Sequence, residues 1–225
     1  MDEAAGRTDE ATGRVDQTAG GPNETAGGVD EVLTADRDHR RHPPRYWPPA
    51  LRAMWRFRVL ARHIRTRGPV FVSQTAEVTC RRGLGHMDLG RWVWIGDRDA
   101  IRCHEGSVRI GDRVVFGRGV TVDAYLDVEI GDDCLLADSV LVTDFDHRYE
   151  DPTAPIRTQG IVKSRVRIEA DCWIGAKATV LRGSTIGRGS VIGALSVVKG
   201  DIPPYSVAVG NPARVVKRRG SPPGP

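Results

Sequence analysis

The sequence predicts an all-β protein built as a parallel β-helix, and three regularities in residues 166–198 support this prediction. A β-branched aliphatic residue recurs at every sixth position, at Ile168, Ile174, Val180, Ile186, Ile192 and Val198. A small residue stands four positions after each of the first five, at Cys172, Ala178, Ser184, Ser190 and Ser196. Glycine follows the aliphatic residue at Gly175, Gly187 and Gly193. A period of six matches neither an α-helix nor an alternating strand, but it matches a coil of three short sides with small residues at the turns.

The same spacing predicts which residues lie on top of one another. Three six-residue sides make a coil of 18 residues, which predicts three stacked pairs: Ile168 on Ile186, Ile174 on Ile192, and Val180 on Val198. Neighbouring coils lie one strand spacing apart, roughly 4.8 Å. Each coil then hydrogen-bonds its backbone to the next, and the aliphatic side chains fill a narrow apolar core, as in other solenoid proteins.

The chain begins with a segment that does not fit this pattern. Residues 2–36 repeat with a period of seven and carry nine acidic residues against two arginines. The repeat has no apolar seam to bury, so it does not predict a coiled coil, and such a polar segment is expected to be disordered. Residues 37–68 reverse the charge, with ten arginines and one aspartate. Because prolines at 43–44 and 48–49 interrupt the chain, residues 1–49 are predicted to be a disordered tail and linker.

Residues 50–68 are predicted to form a basic amphipathic helix. An apolar stripe runs along one side of it, through Ala50, Ala53, Met54, Phe57, Leu60, Ala61 and Ile64, and arginines lie mostly opposite. Two interpretations remain open. The helix packs over the first coil of the solenoid, where an unpaired strand edge needs a cover, or residues 50–67 rest on an anionic membrane surface. We favour the cover. Nucleic-acid binding is not expected, since no binding motif accompanies the charge.

The six-residue pattern continues backwards from residue 166 in two shorter runs, Ile110, Phe116, Val122 and Ile130, Leu136, Val142. It then fails until Ile168, 26 positions after Val142, over a polar stretch with two prolines. A solenoid ejects such extra residues as a loop, and loops on a rigid scaffold often carry function. We therefore predict a β-helix domain over 69–217 with a loop at 147–165, followed by a frayed tail at 218–225.

Composition restricts the remaining possibilities. The chain has 225 residues, enough for one substantial domain with appendages. It shows no apolar run long enough to span a membrane and no signal peptide, so we expect a cytoplasmic protein, with peripheral membrane contact if the helix rests on lipid. The four cysteines, Cys80, Cys103, Cys134 and Cys172, are widely spaced. They are expected to be reduced packing residues.

The repeats resemble those of the hexapeptide-repeat acyltransferases, most of all the sugar and polysaccharide O-acetyltransferases. The resemblance covers about residues 70–217. It includes Trp173-Ile174-Gly175 and the closing stretch from Asp201-Ile202-Pro203-Pro204 to Gly210-Asn211-Pro212-Ala213-Arg214. It implies a left-handed coil, whereas parallel crossovers in general are right-handed. It also implies a homotrimer, with acetyl-CoA as the acyl donor and a sugar or glycan as the acceptor.

The resemblance places the catalytic base at His147, where the regular wall meets the ejected loop. Histidine suits this role because the pKa of imidazole lies near neutral pH. Asp144 or Asp146 would hold the imidazole ring, although either side chain could simply stabilise the turn. We expect direct transfer to a hydroxyl, because no serine or cysteine nucleophile stands in a recognisable motif. A backbone N–H near Gly175 or Ala176 would stabilise the oxyanion.

The resemblance also assigns residues to the coenzyme and the acceptor. The predicted coenzyme-binding residues are Trp173, Gly175, Ala176, Ala194, Lys199, Arg214 and Lys217. The small residues would let the pantetheine arm approach the wall, and the cations would meet phosphates. The sequence departs from the family pattern at two places, with Lys199-Gly200 where relatives have Thr-Lys and Ala176 where relatives have a hydroxyl, so we expect the coenzyme contacts to differ in detail. Asp123 and Arg157 are candidates for binding the acceptor hydroxyls.

Two other functions compete with an acyltransferase. A zinc-dependent γ-class carbonic anhydrase shares the prism shape but needs three converging histidines. Beyond residue 104 the sequence has only His147, so we expect no metal. A non-catalytic scaffold that binds a partner or a membrane through its basic helix is the second alternative.

Overall fold

The computed structural model describes residues 64–220, and these residues wind into a parallel β-helix with three walls. Strands are numbered along the chain. The first wall contains β1 (Arg65–Thr66), β4 (Gly85–Leu89), β7 (Gly106–Ile110), β10 (Asp127–Ile130), β15 (Val166–Ile168), β18 (Thr185–Ile186) and β21 (Asp201–Ile202). The second contains β2 (Val70–Val72), β5 (Val93–Ile95), β8 (Val115–Phe116), β11 (Leu135–Leu136), β16 (Trp173–Ile174), β19 (Val191–Ile192), β22 (Ser206–Val209) and β23 (Arg214–Arg218). The third contains β3 (Glu77–Cys80), β6 (Ala100–Cys103), β9 (Thr121–Ala124), β12 (Leu141–Thr143), β17 (Thr179–Val180) and β20 (Val197–Val198).

The register of the walls confirms the stacking that the six-residue period predicts. The observed partners on successive coils are Ile168 and Ile186, Ile174 and Ile192, and Val180 and Val198. All six side chains are fully buried. The strands within each wall run parallel, apart from β22 and β23 at the end of the second wall. The parallel β-helix is therefore confirmed, and its left-handed sense stays a prediction.

Glycine at the corners allows neighbouring coils to approach closely. Gly175 lies at the corner between the second and third walls, and a Cβ atom there would come within 2.5 Å of the backbone nitrogen of Ala194. The N–H of Gly175 donates to the carbonyl oxygen of Ile192 on the next coil, at 2.8 Å. A side chain at residue 175 would push these two coils apart, which is why glycine follows the aliphatic residue there.

The early coils depart from the expected pattern. Leu84, which continues the six-residue count from Val72 and Val78, is 52% exposed. Met87 and Leu89 of β4 are buried in its place, because the corner before β4 contains additional residues. Since a strand has a period of two, an odd number of extra residues moves the inward positions along the chain.

The predicted N-terminal elements fall mostly outside the described part of the chain. Residues 1–49, and the predicted helix as far as residue 63, lie outside the described residues, as do 221–225 of the C-terminal tail. The prediction of a frayed tail from residue 218 is wrong at Arg218, which belongs to β23 and pairs with Ser206. The helix prediction is wrong at Arg65–Thr66, because these residues form β1 and pair with Asp88 and Leu89 of β4. Within residues 64–220 there is no helix of the length and apolarity that crossing a membrane requires.

A buried carboxyl group in this core is expected to make the stability of the protein depend on pH. Asp99 accepts hydrogen bonds from the N–H groups of Gly96 (2.5 Å) and Val120 (2.8 Å). Burial nevertheless raises the pKa of Asp99 to about 6, above the unfolded value of about 3.9.

We expect the ionisation of Asp99 to lower the stability of the protein as the pH rises. Between about pH 4 and 6 the native state binds more protons at Asp99 than the unfolded state does, so the free energy of unfolding falls with increasing pH. Relative to Asp99→Asn, which cannot ionise, the wild type should lose about 2 kcal/mol from pH 4 to pH 7. Urea unfolding of both proteins across this range measures the difference, and a constant difference would contradict the prediction.

Candidate active site

The outer faces of the three walls differ in chemistry. On the first wall, charges alternate from coil to coil: Arg109 pairs with Glu129 at 3.0 Å, and Arg167 pairs with Glu129 at 2.9 Å. The second wall presents a row of apolar side chains in continuous register, Phe71, Trp94, Val115, Leu135, Trp173, Val191 and Val207. We call this the apolar row. The third wall is polar in its middle coils, and the ejected loop leaves from its end.

The ejected segment is a β-hairpin. β13 (Phe145–His147) pairs antiparallel with β14 (Ile161–Lys163), and a short 3-10 turn, Ile156–Thr158, lies between them. The hairpin therefore begins two residues before the loop predicted at 147–165. His147 is the last residue of β13, opposite Ile161, and its side chain is exposed. Its position at the end of a paired strand holds its backbone, while its imidazole ring stays open to a ligand.

Asp144 anchors the start of this hairpin. The side chain is fully buried, and its carboxylate accepts hydrogen bonds from the N–H groups of Tyr125 (2.8 Å), Leu126 (2.8 Å) and Asp127 (2.7 Å). Without this carboxylate, the three backbone N–H groups at the corner would have no hydrogen-bond acceptor. Asp144 therefore holds the corner of the neighbouring coil, and its contacts do not support the predicted role of orienting His147.

Two ion pairs fasten the hairpin to the coils on either side. Asp146 pairs with Arg182 on a later coil, at 2.6 Å, so its carboxylate also points to a partner other than His147. Lys163 of β14 pairs with Glu105 on an earlier coil, at 2.5 Å. Neither aspartate is hydrogen-bonded to His147 within the described chain. Sequence reasoning missed Arg182 and Lys163, because nothing in the local sequence distinguishes them from other surface cations.

A series of ring contacts connects the end of the third wall to His147. The His104 ring stacks on Tyr125 with centroids 4.5 Å apart, Tyr125 meets Phe145 edge-on at 4.6 Å, and Phe145 meets His147 at 6.3 Å. The ammonium group of Lys163 lies 5.5 Å from the centre of the Tyr125 ring. We call these four rings the aromatic ladder. It packs the base of the hairpin against the corner between the third and first walls.

The two predicted acceptor-binding residues lie in different surroundings. Asp123 points outward from β9, in register with Arg102 and Thr143. Its Oδ1 atom lies 3.5 Å from Arg102 and 3.4 Å from the Nε2 atom of His104. Arg157 is exposed on the 3-10 turn of the hairpin loop. Asp123 therefore lies on the wall beside the aromatic ladder, whereas Arg157 sits on the protruding loop.

The predicted coenzyme residues gather mainly at one corner. Ala176 and Ala194 stack on consecutive coils, and the N–H of Leu195 donates to the carbonyl oxygen of Ala176 at 2.9 Å. Trp173, 52% exposed, precedes them on the second wall. Arg214 and Lys217 are exposed on β23, the last strand of that wall. The N–H of Gly175 donates to the carbonyl oxygen of Ile192 on the next coil, so of the two predicted oxyanion donors only Ala176 remains.

One chain does not bring all the predicted residues together. Ala176 lies just before the third wall, and His147 lies just after it, so the width of that wall separates them. Lys199 follows β20 at the end of the third wall, away from Trp173 on the second wall. The alanine corner and His147 can therefore act on the same small molecule only if another chain supplies one of them.

A cavity of about 600 Å³ lies elsewhere, between the second and third walls of the early coils. Trp94, Asp97 and Arg118 are among its lining residues, which include none of the catalytic, coenzyme-binding or acceptor-binding residues predicted from the sequence. Within residues 64–220, no group of three His, Cys, Asp or Glu side chains is placed to hold a metal ion. All four cysteines are buried free thiols.

Comparison with known proteins agrees with this geometry. The family described as bacterial transferase hexapeptide (six repeats) matches residues 165–200, and the hexapeptide repeat of succinyl-transferase matches residues 107–143. The chain is 53% identical over 175 residues to a probable acetyltransferase of Mycobacterium tuberculosis, Rv3034c, covering 78% of this chain and 57% of that protein. The match thus spans little more than half of this relative.

Two further comparisons extend the likeness. The chain is 32% identical to a putative lipopolysaccharide biosynthesis O-acetyl transferase of Escherichia coli, WbbJ, over 51% of this chain and 74% of that protein. The solved structure of AntD, an N-acyltransferase from Bacillus cereus, superposes with a TM-score of 0.62 at 22% identity, over 73% of this chain and 88% of that chain. The AntD likeness concerns the fold. The repeats, the register and these relatives together show that the chain belongs to the hexapeptide-repeat acyltransferase family.

Proposed function

We propose that this protein is an acetyl-CoA-dependent O-acetyltransferase that acts on a hydroxyl of a sugar, a polysaccharide unit or a glycosylated metabolite. The two relatives named as a probable acetyltransferase and a putative O-acetyl transferase support the reaction type. AntD, which shares the fold, was crystallised with dTDP and 3-hydroxybutyryl-CoA, which supports a coenzyme A thioester as the donor.

The observation that carries this proposal is the placement of His147. It is an exposed imidazole at the end of a hairpin strand whose base is held by Asp144, Asp146 and Lys163. An exposed histidine on a firmly anchored strand can meet a ligand at a defined position, as a general base must.

The reaction then follows from elementary acid–base chemistry. Neutral His147 accepts the proton of the acceptor hydroxyl as its oxygen attacks the thioester carbonyl carbon. The tetrahedral intermediate carries a negative oxygen, which the N–H of Ala176 from a neighbouring chain would stabilise. Collapse of the intermediate breaks the carbon–sulfur bond, forms the ester and releases the coenzyme A thiolate. The thiolate recovers the proton from His147.

A second copy of the chain completes the site. The apolar row exposes large side chains, Trp173 and Leu135 among them, and contiguous exposed apolar surfaces in soluble proteins commonly mark interfaces. Docking this face beside the third wall of a neighbour would bring the alanine corner of one chain towards His147 of another. We therefore retain the homotrimer as part of the proposal. Cytoplasmic location remains a prediction, as does membrane contact through residues 50–67, of which only 64–67 are described.

Acetyl-CoA turnover tests the proposed function. Purified protein is incubated with acetyl-CoA and a panel of hexoses, p-nitrophenyl glycosides and sugar nucleotides, and thiol release is followed together with the mass of the acceptor. We expect at least one acceptor to gain an acetyl group as an ester, with one thiol released per transfer. Coenzyme A binding without transfer to any acceptor would contradict the proposal, and failure to bind coenzyme A would favour a non-catalytic scaffold.

A further inference from the structure

His104 is a second histidine at the same corner as His147, and the mechanism above does not use it. It follows β6 on the third wall, and its ring forms the first rung of the aromatic ladder that ends at His147. Its side chain is 37% exposed, so one side of the ring packs against Tyr125 while part of it remains open to a ligand. Unlike His147, it faces a carboxylate.

That carboxylate is incompletely paired. Asp123 Oδ1 is buried and accepts no hydrogen bond, although His104 Nε2 lies 3.4 Å away and Arg102 lies 3.5 Å away. Arg102 donates two hydrogen bonds of 2.9 and 3.1 Å to Glu77 through Nη2 and Nε, and its Nη1 atom is the one that lies 3.5 Å from Asp123 Oδ1. A buried carboxylate oxygen that faces Nε2 favours the imidazole tautomer that directs an N–H towards it. With the Nε2 proton facing Asp123, Nδ1 of His104 carries the lone pair.

We propose that His104 is an acceptor-binding residue whose Nδ1 atom accepts a hydrogen bond from a second hydroxyl of the acceptor, while His147 takes the proton of the hydroxyl that reacts. This inference rests on the proposed function and narrows its substrate class. The acceptor must carry at least two hydroxyl groups. Asp123 acts here as a positioning residue, because it orients the His104 ring and fixes its tautomer.

The solenoid sets the distance between the two hydroxyls. His104, Tyr125 and Phe145 occupy the same corner on three successive coils, as the backbone bond from the N–H of His104 to the carbonyl oxygen of Ala124 and the ring contacts show. Two coil spacings, about 10 Å, separate His104 from Phe145, and the His147 ring lies a further 6.3 Å from the Phe145 ring. An acceptor that reaches both histidines is therefore extended, like a two-ring glycoside, and a small alcohol would engage only one of them.

The variant His104→Phe tests this inference without disturbing the stack on Tyr125. With saturating acetyl-CoA, the probes are p-nitrophenyl β-cellobioside and p-nitrophenyl β-glucoside. The variant should raise the KM for the cellobioside about tenfold, as loss of one hydrogen bond implies, with kcat and the KM for acetyl-CoA changed less than threefold. His86→Phe is the matched control, since His86 is an exposed histidine on the first wall, and it should leave all constants unchanged.

The outcomes separate the two proposals. A cellobioside KM within twofold of wild type in His104→Phe, or a loss confined to kcat, would overturn the role of His104 and leave the proposed function standing. Transfer to neither probe by the wild type, with transfer to other hydroxyl acceptors of the broader panel, would overturn the extended-glycoside inference alone. Transfer to no acceptor at all would remove both proposals. Thermal unfolding of each variant checks that the fold is intact.

Discussion

Replacing His147 by alanine should lower kcat for acetyl transfer by about 10²–10⁴, the range that a positioned general base contributes. The imidazole is exposed at the end of β13, and it makes no hydrogen bond within residues 64–220. Its removal should therefore cost little stability, and the loss should appear in the chemical step. Steady-state kinetics on the best acceptor of the panel, with acetyl-CoA saturating, measure the effect.

The control for this variant is binding of coenzyme A. Isothermal titration should give the same dissociation constant for wild type and His147→Ala within about twofold, because all the predicted coenzyme residues except Lys199 lie at another corner and on the second wall. His86→Ala should retain wild-type kinetics. Undiminished turnover in His147→Ala would remove this residue from the mechanism, and a stability loss of several kcal/mol would show instead that it supports the hairpin.

Replacing Asp144 by alanine should destabilise the protein by about 3–5 kcal/mol. The substitution leaves the N–H groups of Tyr125, Leu126 and Asp127 without their acceptor. Each hydrogen bond to a charged group contributes about 1.5–3 kcal/mol, and water entering the corner recovers part of that. Urea unfolding followed by circular dichroism measures the free energy of unfolding at a single pH.

The neighbouring aspartate provides the matched control. Asp146 pairs with Arg182, and both side chains are more than a third exposed, so Asp146→Ala should cost less than about 1 kcal/mol. Equal stability losses in the two variants would refute the view that Asp144 is the buried anchor. A pure loss of kcat in Asp144→Ala, at unchanged stability, would return Asp144 to the role of orienting His147.

The core of the solenoid was predictable because each coil repeats the same local problem. Each side of six residues has one inward position that must be apolar and a turn that favours small residues. An aliphatic residue and a small residue therefore recur in the sequence every six positions. The register of Ile168 on Ile186 follows from that spacing alone. The early coils were less predictable, as Leu84 shows, because corner insertions shift which residues face inward.

The surroundings of His147 were only partly predictable. The interruption of the repeat after Val142 located the excursion, but it did not reveal the hairpin or the hydrogen bonds of Asp144. Those bonds join residues 17 to 19 positions apart, and the partner of Asp146 lies 36 positions away. No local pattern encodes such pairs, since they arise only when successive coils are stacked.

By itself, the sequence determined the parallel β-helix, the inward aliphatic residues and the place where the chain leaves the wall, because each depends on spacing within one or two coils. Only the tertiary structure decided that Asp144 and Asp146 are committed to other partners, that His104 faces Asp123, and that His147 and the alanine corner lie on opposite sides of one wall. The physical reason is that a coil brings together side chains about 20 residues apart. Which side chains pair there depends on charge, hydrogen bonding and ring contact between coils. These contacts do not recur with the six-residue period, so the repeat does not predict them.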